Sequence, residues 1–560
     1  MMALVECVPN ISEGRDPSII QAVTAELGHV EGVTLLDVDP GKATNRTVIT
    51  FVGGPDAVVE GAFRVIAKAA ESIDMSRHEG EHPRMGATDV CPFIPVSGIT
   101  MDECAELARR LGERVGRELG IPVYLYEHAA SSPERANLAT IRAGEYEGLA
   151  KKLQDPKWKP DFGDAKFNAR AGATVIGARK FLIAYNVNLN SVSKPLAHDI
   201  ALNIREAGRN MRGPDGKFVR GADGKPKNQP GLFKDVKAVG WYIDEYQRAQ
   251  ISINFTDHEV SPIHEVFEEI RKQAAERGMR VTGSELVGLI PKSALVSAGL
   301  FYLEKQGASL GVPEARVIET AIQSLGLHDL GAFDPQEKVI EYRVGGGGGA
   351  LAGMTVKQFV DEVSTESPAP GGGSVAALCG SLGAALSSMV ANLTVGKKGY
   401  EDHWKTMSDI AVEAQELKVF FVDMIDRDTE AFTGVLVARR LPNGTPDEKK
   451  ARADAILAAM KDASMVPFAT LEACLRATDL SERAAKNGNA AVLSDAAVGA
   501  LCAEAAAESA WFNVLINIGD IDDPAFVQDL RAKADGVLDA VRKQSKDVRD
   551  SVRKAIESDS

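Results

Sequence analysis

The 560-residue chain carries 64 Lys and Arg against 79 Asp and Glu, a net charge of −15, opposite in sign to what a phosphate backbone attracts, so no nucleic acid is expected as a partner. With 44% hydrophobic and 26% charged residues there is ample apolar material for large cores, which excludes global disorder. At about 100 to 200 residues per domain, the length calls for two to four domains. Residues 354–560 hold 23 basic and 32 acidic residues and the rest 41 and 47, so neither half is a basic tail. The six cysteines, Cys7, Cys91, Cys104, Cys379, Cys474 and Cys502, form no CxxC pair, as expected of a reduced, cytoplasmic setting. Met1-Met2-Ala3-Leu4-Val5-Glu6 reaches an acid before an apolar run can form, so no secretory segment is expected.

Short β-branched runs at 3–8, 33–38, 46–52, 90–96, 123–126, 181–188, 236–243 and 250–255 alternate with amphipathic helical stretches. They predict an N-terminal α/β (α+β) unit. Between about 150 and 175, a helical pattern ends at Lys151-Lys152-Leu153-Gln154-Asp155-Pro156 and Pro160 precedes a glycine-punctuated loop. That break predicts two sandwich-like subdomains, 1–178 and 179–344. The stretch 209–231, with six basic and two acidic residues and two Asp-Gly dipeptides, reads as an exposed excursion, a hairpin on its Asp-Gly turns. Five consecutive glycines from Gly345 to Gly349 open a flexible linker, 345–353. Beyond it, apolar residues recur at helical spacing in 403–438, 447–478 and 524–556, so 354–560 is expected to be an all-α helix bundle in a multidomain chain. Residues 368–396 contain no charge, long enough to cross a bilayer, but Ala, Gly, Ser and Asn392 dominate over the residues that drive insertion. The expectation is a buried bundle helix and no membrane.

His78-Glu79-Gly80-Glu81-His82 matches H-E-x-x-H, which as a zinc site needs both histidines on one helical face. Gly80 inside it and Pro83 after it oppose a helix. The stretch reads instead as a polar loop, 80–89, feeding the strand at Val90, and a metal-dependent hydrolase using His78 and His82 remains the alternative. The first strand ends in Pro9-Asn10-Ile11-Ser12-Glu13-Gly14-Arg15 and the second in Asp37-Val38-Asp39-Pro40-Gly41-Lys42. Polar groups gathered at strand ends are either turn formers or ligand contacts. Asp423, Asp426, Asp428 and Glu430 follow one another on a predicted helix, ordinarily a solvated face. Gly371-Gly372-Gly373-Ser374 opens the uncharged helix, whose free N–H groups favour a carboxylate. Ala376, Gly380 and Ala384, four apart, also let another helix approach closely.

Val5 to Arg15 (VECVPNISEGR), Gly80 to Ala87 (GEHPRMGA) and Gly172 to Leu182 (GATVIGARKFL) resemble the signatures of glutamate formimidoyltransferase. Pro370 to Ala376 (PGGGSVA) and Asp426 to Phe432 (DRDTEAF) resemble formimidoyltetrahydrofolate cyclodeaminase. Their order is similar to that of the bifunctional formimidoyltransferase-cyclodeaminases. The resemblance implies that His82 is the general base of the transferase and Asp428 the acid/base of the cyclodeaminase. It also implies that Gly163-Asp164-Ala165-Lys166-Phe167-Asn168-Ala169-Arg170-Ala171-Gly172 contacts folate, although Asp164 stands where a proline is usual and Ala171 where some members carry an aromatic residue.

The implied substrates are tetrahydrofolate and N-formimidoyl-L-glutamate, with no metal, in a homo-oligomer built from dimers. Histidine, with an ordinary pKa of about 6.5, suits a proton shuttle near neutral pH. Asp39 is the candidate to orient His82, and Arg84 and Arg179 are candidates to hold a substrate carboxylate. Gly371, Gly372 and Gly373 are candidates for contact with the second folate, and Asp426 or Glu430 would tune Asp428 by like-charge proximity. An active transferase whose helical domain only oligomerises is the other class left open.

Overall fold

The computed structural model describes residues 3–42, 44–80, 83–221, 223–344, 349–367 and 369–558. Strands β1 (Leu4–Cys7), β2 (Asn10–Ile11), β3 (Val33–Gly41), β4 (Arg46–Gly53), β5 (Thr88–Ser97), β6 (Val123–Glu127) and β7 (Thr174–Ala178) form a seven-stranded sheet. β1 and β2 are two halves of one central strand, each paired antiparallel with β4 and β5. β7 inserts between β5 and β6, parallel to both. One face is covered by α1 (Pro17–Ala25), α2 (Pro55–Ser72) and α3 (Met101–Glu118), where Val5, Cys7, Ile49, Phe51, Cys91 and Phe93 meet Val65, Ala69, Leu111 and Val115 in one core. Each helix starts where its sequence supplies a stop. Asp16 accepts from the Ser18 N–H ahead of Pro17, and Thr100 with Glu103 closes a capping box. On the opposite face, α4 (Leu138–Arg142) and α5 (Glu145–Lys152) bury Ile141 and Leu149 against Tyr124, Tyr126 and Val175.

A second, four-stranded antiparallel sheet runs β11 (Val236–Ile243), β12 (Arg248–Phe255), β8 (Ile183–Leu189), β13 (Val281–Val287), with α6 (Lys194–Ile204) and α7 (Ile263–Glu276) beside it. The short strands β9 (Arg209–Asn210) and β10 (Asn228–Gln229) pair at the base of the basic excursion. The single hairpin expected there is corrected. Above a two-residue ladder stand two small loops, closed by the Arg212–Phe218 and Arg220–Pro226 bridges. Each turns on its own Asp-Gly, with Gly216 and Gly224 at positive φ, because two left-handed glycines eight residues apart reverse the chain twice. Two further expectations needed correction: β7 and β13 were not foreseen as strands, both being short and broken by Gly177 and Gly283.

Helices α8 (Lys292–Lys305), α9 (Glu314–Leu325), α10 (Pro335–Lys338) and α11 (Ile340–Arg343) follow. By contact, residues 1–298 with 325–346 form one compact unit and 299–324 with 347–560 the other. Of the linker, residues 345–348 lie outside the described residues. The second unit is helical: α12 (Val356–Val363), α13 (Gly372–Asn392), α14 (Trp404–Arg439), α15 (Pro446–Asn487), α16 (Leu493–Ile518) and α17 (Pro524–Ser558). The charge-free stretch becomes α13, whose Gly380 rests on the Phe421 ring and whose Gly383 rests on the Gly499 backbone of α16. Small residues at that spacing admit the neighbouring helices. By length and hydropathy α13 and the stretch ending in α16 are each capable of crossing a membrane, with 61% and 33% of the tested windows buried inside the protein.

Candidate active sites

The three N-terminal motifs meet at one place. The Ser12 N–H donates to the Ala87 carbonyl, the Ala87 N–H to the Ala171 carbonyl and the Ala173 N–H to the Met85 carbonyl, while the Ser12 hydroxyl donates to the Gly86 carbonyl at 2.8 Å. Gly172, at φ +68°, sits so close that an added Cβ would lie 2.2 Å from the Met85 oxygen, so only glycine lets these loops touch. His82 itself lies outside the described residues. Of the expected folate stretch, Gly163 to Ala169 are mostly exposed and Ala171 and Gly172 buried. Asn168 shapes the loop by accepting from the Arg170 and Ala171 N–H groups. The Phe167 ring lies 5.6 Å from that of Tyr146.

Directly paired positions share a face of a sheet. Glu6 opposes Val52 and Ile94, Asn10 opposes Val48 and Val90, Asp39 opposes Val48 and Asp37 opposes Thr50. These polar groups therefore line the face turned away from α1, α2 and α3. Asn10 Oδ1 accepts from Arg46 Nε at 2.8 Å. Buried Asp89 pairs with Arg142 and lies 3.7 Å from Arg46. The charges of Arg46, Arg142 and Arg179 all act on Tyr126. Burial holds the Arg46 guanidinium down at about 10, against the pull of Asp89, and pushes the Tyr126 phenol up to about 12. The buried Nε of Arg142 has no hydrogen-bond partner among the described residues. Glu6, 5% exposed, is pushed up to about 7 by burial, with Arg179 pulling it down and Glu341 pushing it further up.

Asp39 is exposed on β3, on the polar face but at the sheet's edge strand. Arg84 corrects an expectation. It is buried, with Nη1 and Nη2 on the Glu147 carboxylate at 2.9 and 2.7 Å, Nη1 also on Glu145 at 3.1 Å, and Nε on His78 Nδ1 at 3.2 Å. Its fork already holds two carboxylates of α5, so it pins the motif loop and leaves no donor edge for a substrate. His78 corrects the zinc alternative. Its backbone is extended (φ −80°, ψ 129°), its Nε2 donates to the Asn45 carbonyl at 2.8 Å, and its Nδ1 accepts from Arg84, so both ring nitrogens are committed, and the described residues 78–80 are not helical. Glu6, Arg46, Asp89, Arg142 and Tyr126 were not singled out from the sequence. The available signal was an acid embedded in an apolar strand, as in Val5-Glu6-Cys7 and Thr88-Asp89-Val90, since such acids are buried only for a reason.

In the helical unit, the N-terminus of α13 faces α14. The Asp428 carboxylate accepts from the Ser374 N–H, and a Cβ on Gly373 would lie 2.1 Å from its Oδ1. Burial raises Asp428 above the ordinary carboxylate range and that N–H opposes the shift. The expected tuning by Asp426 or Glu430 is corrected. Asp426 turns elsewhere, accepting from the Leu351 and Ala352 N–H groups at 2.8 and 2.9 Å, and its charge acts on Asp423. Gly372 lies beside the Asn513 amide of α16. Among the described residues no group of three or more His, Cys, Asp or Glu has metal-holding geometry.

Family models match in succession: "Formiminotransferase domain, N-terminal subdomain" at residues 4–179, "Formiminotransferase domain" at 184–345 and "Formiminotransferase-cyclodeaminase" at 355–536. A formimidoyltransferase-cyclodeaminase of Mus musculus is 44% identical over 547 residues, 97% of this chain and 98% of that one. The chain belongs to the formimidoyltransferase-cyclodeaminase family. A glutamate formimidoyltransferase of Streptococcus pyogenes serotype M1 is 42% identical, across 54% of this chain and 94% of its own. A methenyltetrahydrofolate cyclohydrolase of Methylorubrum extorquens is 41% identical, across 33% of this chain and 88% of its own. Relatives thus match this chain both at full length and, under names for a single activity, over parts of it.

Proposed function

We propose that the chain transfers the formimidoyl group of N-formimidoyl-L-glutamate to tetrahydrofolate and then cyclises the 5-formimidoyltetrahydrofolate to 5,10-methenyltetrahydrofolate with release of ammonia. The observation that carries the first step is the convergence of Arg46, Arg142 and Arg179 on one buried face, against the carboxyls of Asp89 and Glu6. Guanidinium groups gathered on a buried face suit a dicarboxylate, which each can hold bidentately. His82 takes the proton from the attacking folate nitrogen as it bonds to the formimidoyl carbon. It returns that proton to the glutamate nitrogen as the old C–N bond breaks. Asp39 orients the imidazole, and 163–172 with its Tyr146–Phe167 pair holds the folate.

In the second step N10 and the formimidoyl carbon belong to one molecule, so positioning supplies much of the barrier reduction. Asp428, protonated to higher pH than an ordinary aspartate, passes its proton to the departing ammonia nitrogen. Gly371, Gly372 and Gly373 present free N–H groups to the substrate. The Methylorubrum relative, named for the same methenyl carrier, supports this reading of the helical unit. The modules are read as 1–178 and 179–344, each a sheet with helices in sandwich-like layers, a linker 345–353, and 354–560. The protein is read as cytoplasmic and as a homo-oligomer of dimers.

The test separates the steps. His82→Ala is expected to abolish glutamate-dependent transfer while cyclisation of supplied 5-formimidoyltetrahydrofolate continues, and Asp428→Asn to do the reverse, both followed by methenyl absorbance. Loss of both activities from either folded variant sinks the allocation.

A further inference from the structure

Glu6 is a deeply buried carboxyl on the polar face that the proposed chemistry leaves without a task. It stands on the central strand between Val52 of β4 and Ile94 of β5, is 5% exposed, and its carboxylate makes no hydrogen bond among the described residues. A structural carboxyl so buried is normally bonded on most of its lone pairs, because a bare one forfeits its hydration for nothing. The charges that reach it are Arg179, from the end of β7, and Glu341, from α11. Glu341 already accepts from the Lys292 N–H at 2.8 Å. Arg179 donates by Nη1 to the Lys180 carbonyl at 2.9 Å and lies beside Tyr126. The face therefore holds a guanidinium with donors to spare whose charge reaches a carboxyl with acceptors to spare.

That combination matches one feature of the proposed donor. In N-formimidoyl-L-glutamate the α-carbon bears a carboxylate and, next to it, an amidinium, a planar N–C–N cation. In the product the same nitrogen is an ammonium. A carboxylate meets an amidinium with two parallel N–H···O bonds, as it meets the fork of an arginine. We infer that Glu6 and Arg179 together form the subsite for the α-carbon of the donor, Arg179 holding its carboxylate and Glu6 its cationic nitrogen, so that Glu6 selects an α-amidinium or α-ammonium dicarboxylate over an uncharged analogue. This rests on the transferase reading above and adds to it the residue that reads the donor's positive charge. Burial raises the Glu6 carboxyl to about 7, so near neutral pH much of it is protonated and uncharged. An arriving cation converts it to the ionised form it needs.

The experiment uses the full chain and two product-side probes of the transfer reaction, L-glutamate and glutarate, which differ by the α-ammonium. The wild-type protein is expected to be inhibited by L-glutamate roughly 10- to 100-fold better than by glutarate, the worth of one buried charge pair. In Glu6→Gln that ratio falls to near one, with glutarate inhibition unchanged within about threefold. Glu6→Asp keeps part of the preference and covers the case in which the amide fails to fold. Cyclisation of supplied 5-formimidoyltetrahydrofolate by the same preparation reports that the chain is intact. A Glu6→Gln protein that keeps the wild-type ratio, or that loses both inhibitors equally, overturns the inference while leaving the transferase reading standing. Wild-type protein with no transfer overturns that reading and this inference with it.

Discussion

Glu6 also makes a stability statement at the scale of one residue. Unfolded, its carboxyl titrates near 4.5; folded, at about 7. Between those values the folded chain binds a proton that the unfolded chain has lost. Stability therefore falls as pH rises from about 4.5 to about 7 and is level above it. Because the side chain is almost fully buried, the penalty above pH 7 is of the order of 1–3 kcal/mol. Glu6→Gln is expected to lift it, so the first unit melts higher than wild type at pH 8 and at the same temperature at pH 4, by calorimetry. A variant that weakens donor recognition yet melts later is what a functional buried acid produces. Equal melting at both pH values would mean that the carboxyl is better solvated than its burial indicates. Arg84 is the contrary case. It carries the same charge as Arg179 and belongs to a recognised motif, but its bidentate hold on Glu147 assigns it to the scaffold, and nothing in its neighbours along the chain foretold α5 as its partner.

At the scale of elements, what matters is how closely two pieces of backbone approach. The first turn of α13 lies against Asp428 because residue 373 has no side chain. Gly373→Ala, benign within a helix by propensity, is expected to displace the carboxylate and cut cyclisation by roughly 10²-fold, the cost of about 1 Å of misplacement, with transfer unchanged. A variant that cyclises normally would remove the α13 N-terminus from the site. The elements differ in how legibly they were written. Strands at 46–52, 236–243 and 250–255 and the long helices of 403–438 and 447–478 were foreseen, since alternation and helical periodicity are local properties of a sequence. β7 and β13 were not, because five to seven residues containing a glycine carry too little pattern. β7 holds its place by parallel pairing to β5 and β6, a contact between segments more than fifty residues apart.

For the whole molecule, the apolar residues left outside are as informative as those inside. Leu382 and Met389 on α13, and Val498, Leu501, Phe512 and Ile516 on α16, are exposed on two helices packed along one another. Monomers rarely leave an apolar stripe of this size to water. On the dimer-based reading this stripe is covered by a second copy. Leu382→Glu combined with Ile516→Lys is expected to halve the mass measured by sedimentation, with cyclisation and transfer as further readouts. An unchanged mass would move the interface elsewhere.

Composition and periodicity were enough for the division into an α/β and an all-α part, and the resemblance of short motifs pointed to the family and to the segments around His82 and Asp428, because each is carried by residues adjacent in the chain. The company those segments keep was decided only by folding. Asn10, Arg46, Asp89, Tyr126, Arg142 and Arg179 come from six separate stretches, and sheet pairing, with α4 packed over it to supply Arg142, brings them to one face with Glu6. Electrostatic character at a buried site is a sum over neighbours in space, each weighted by its loss of water, and a linear sequence specifies neither the neighbours nor the weights.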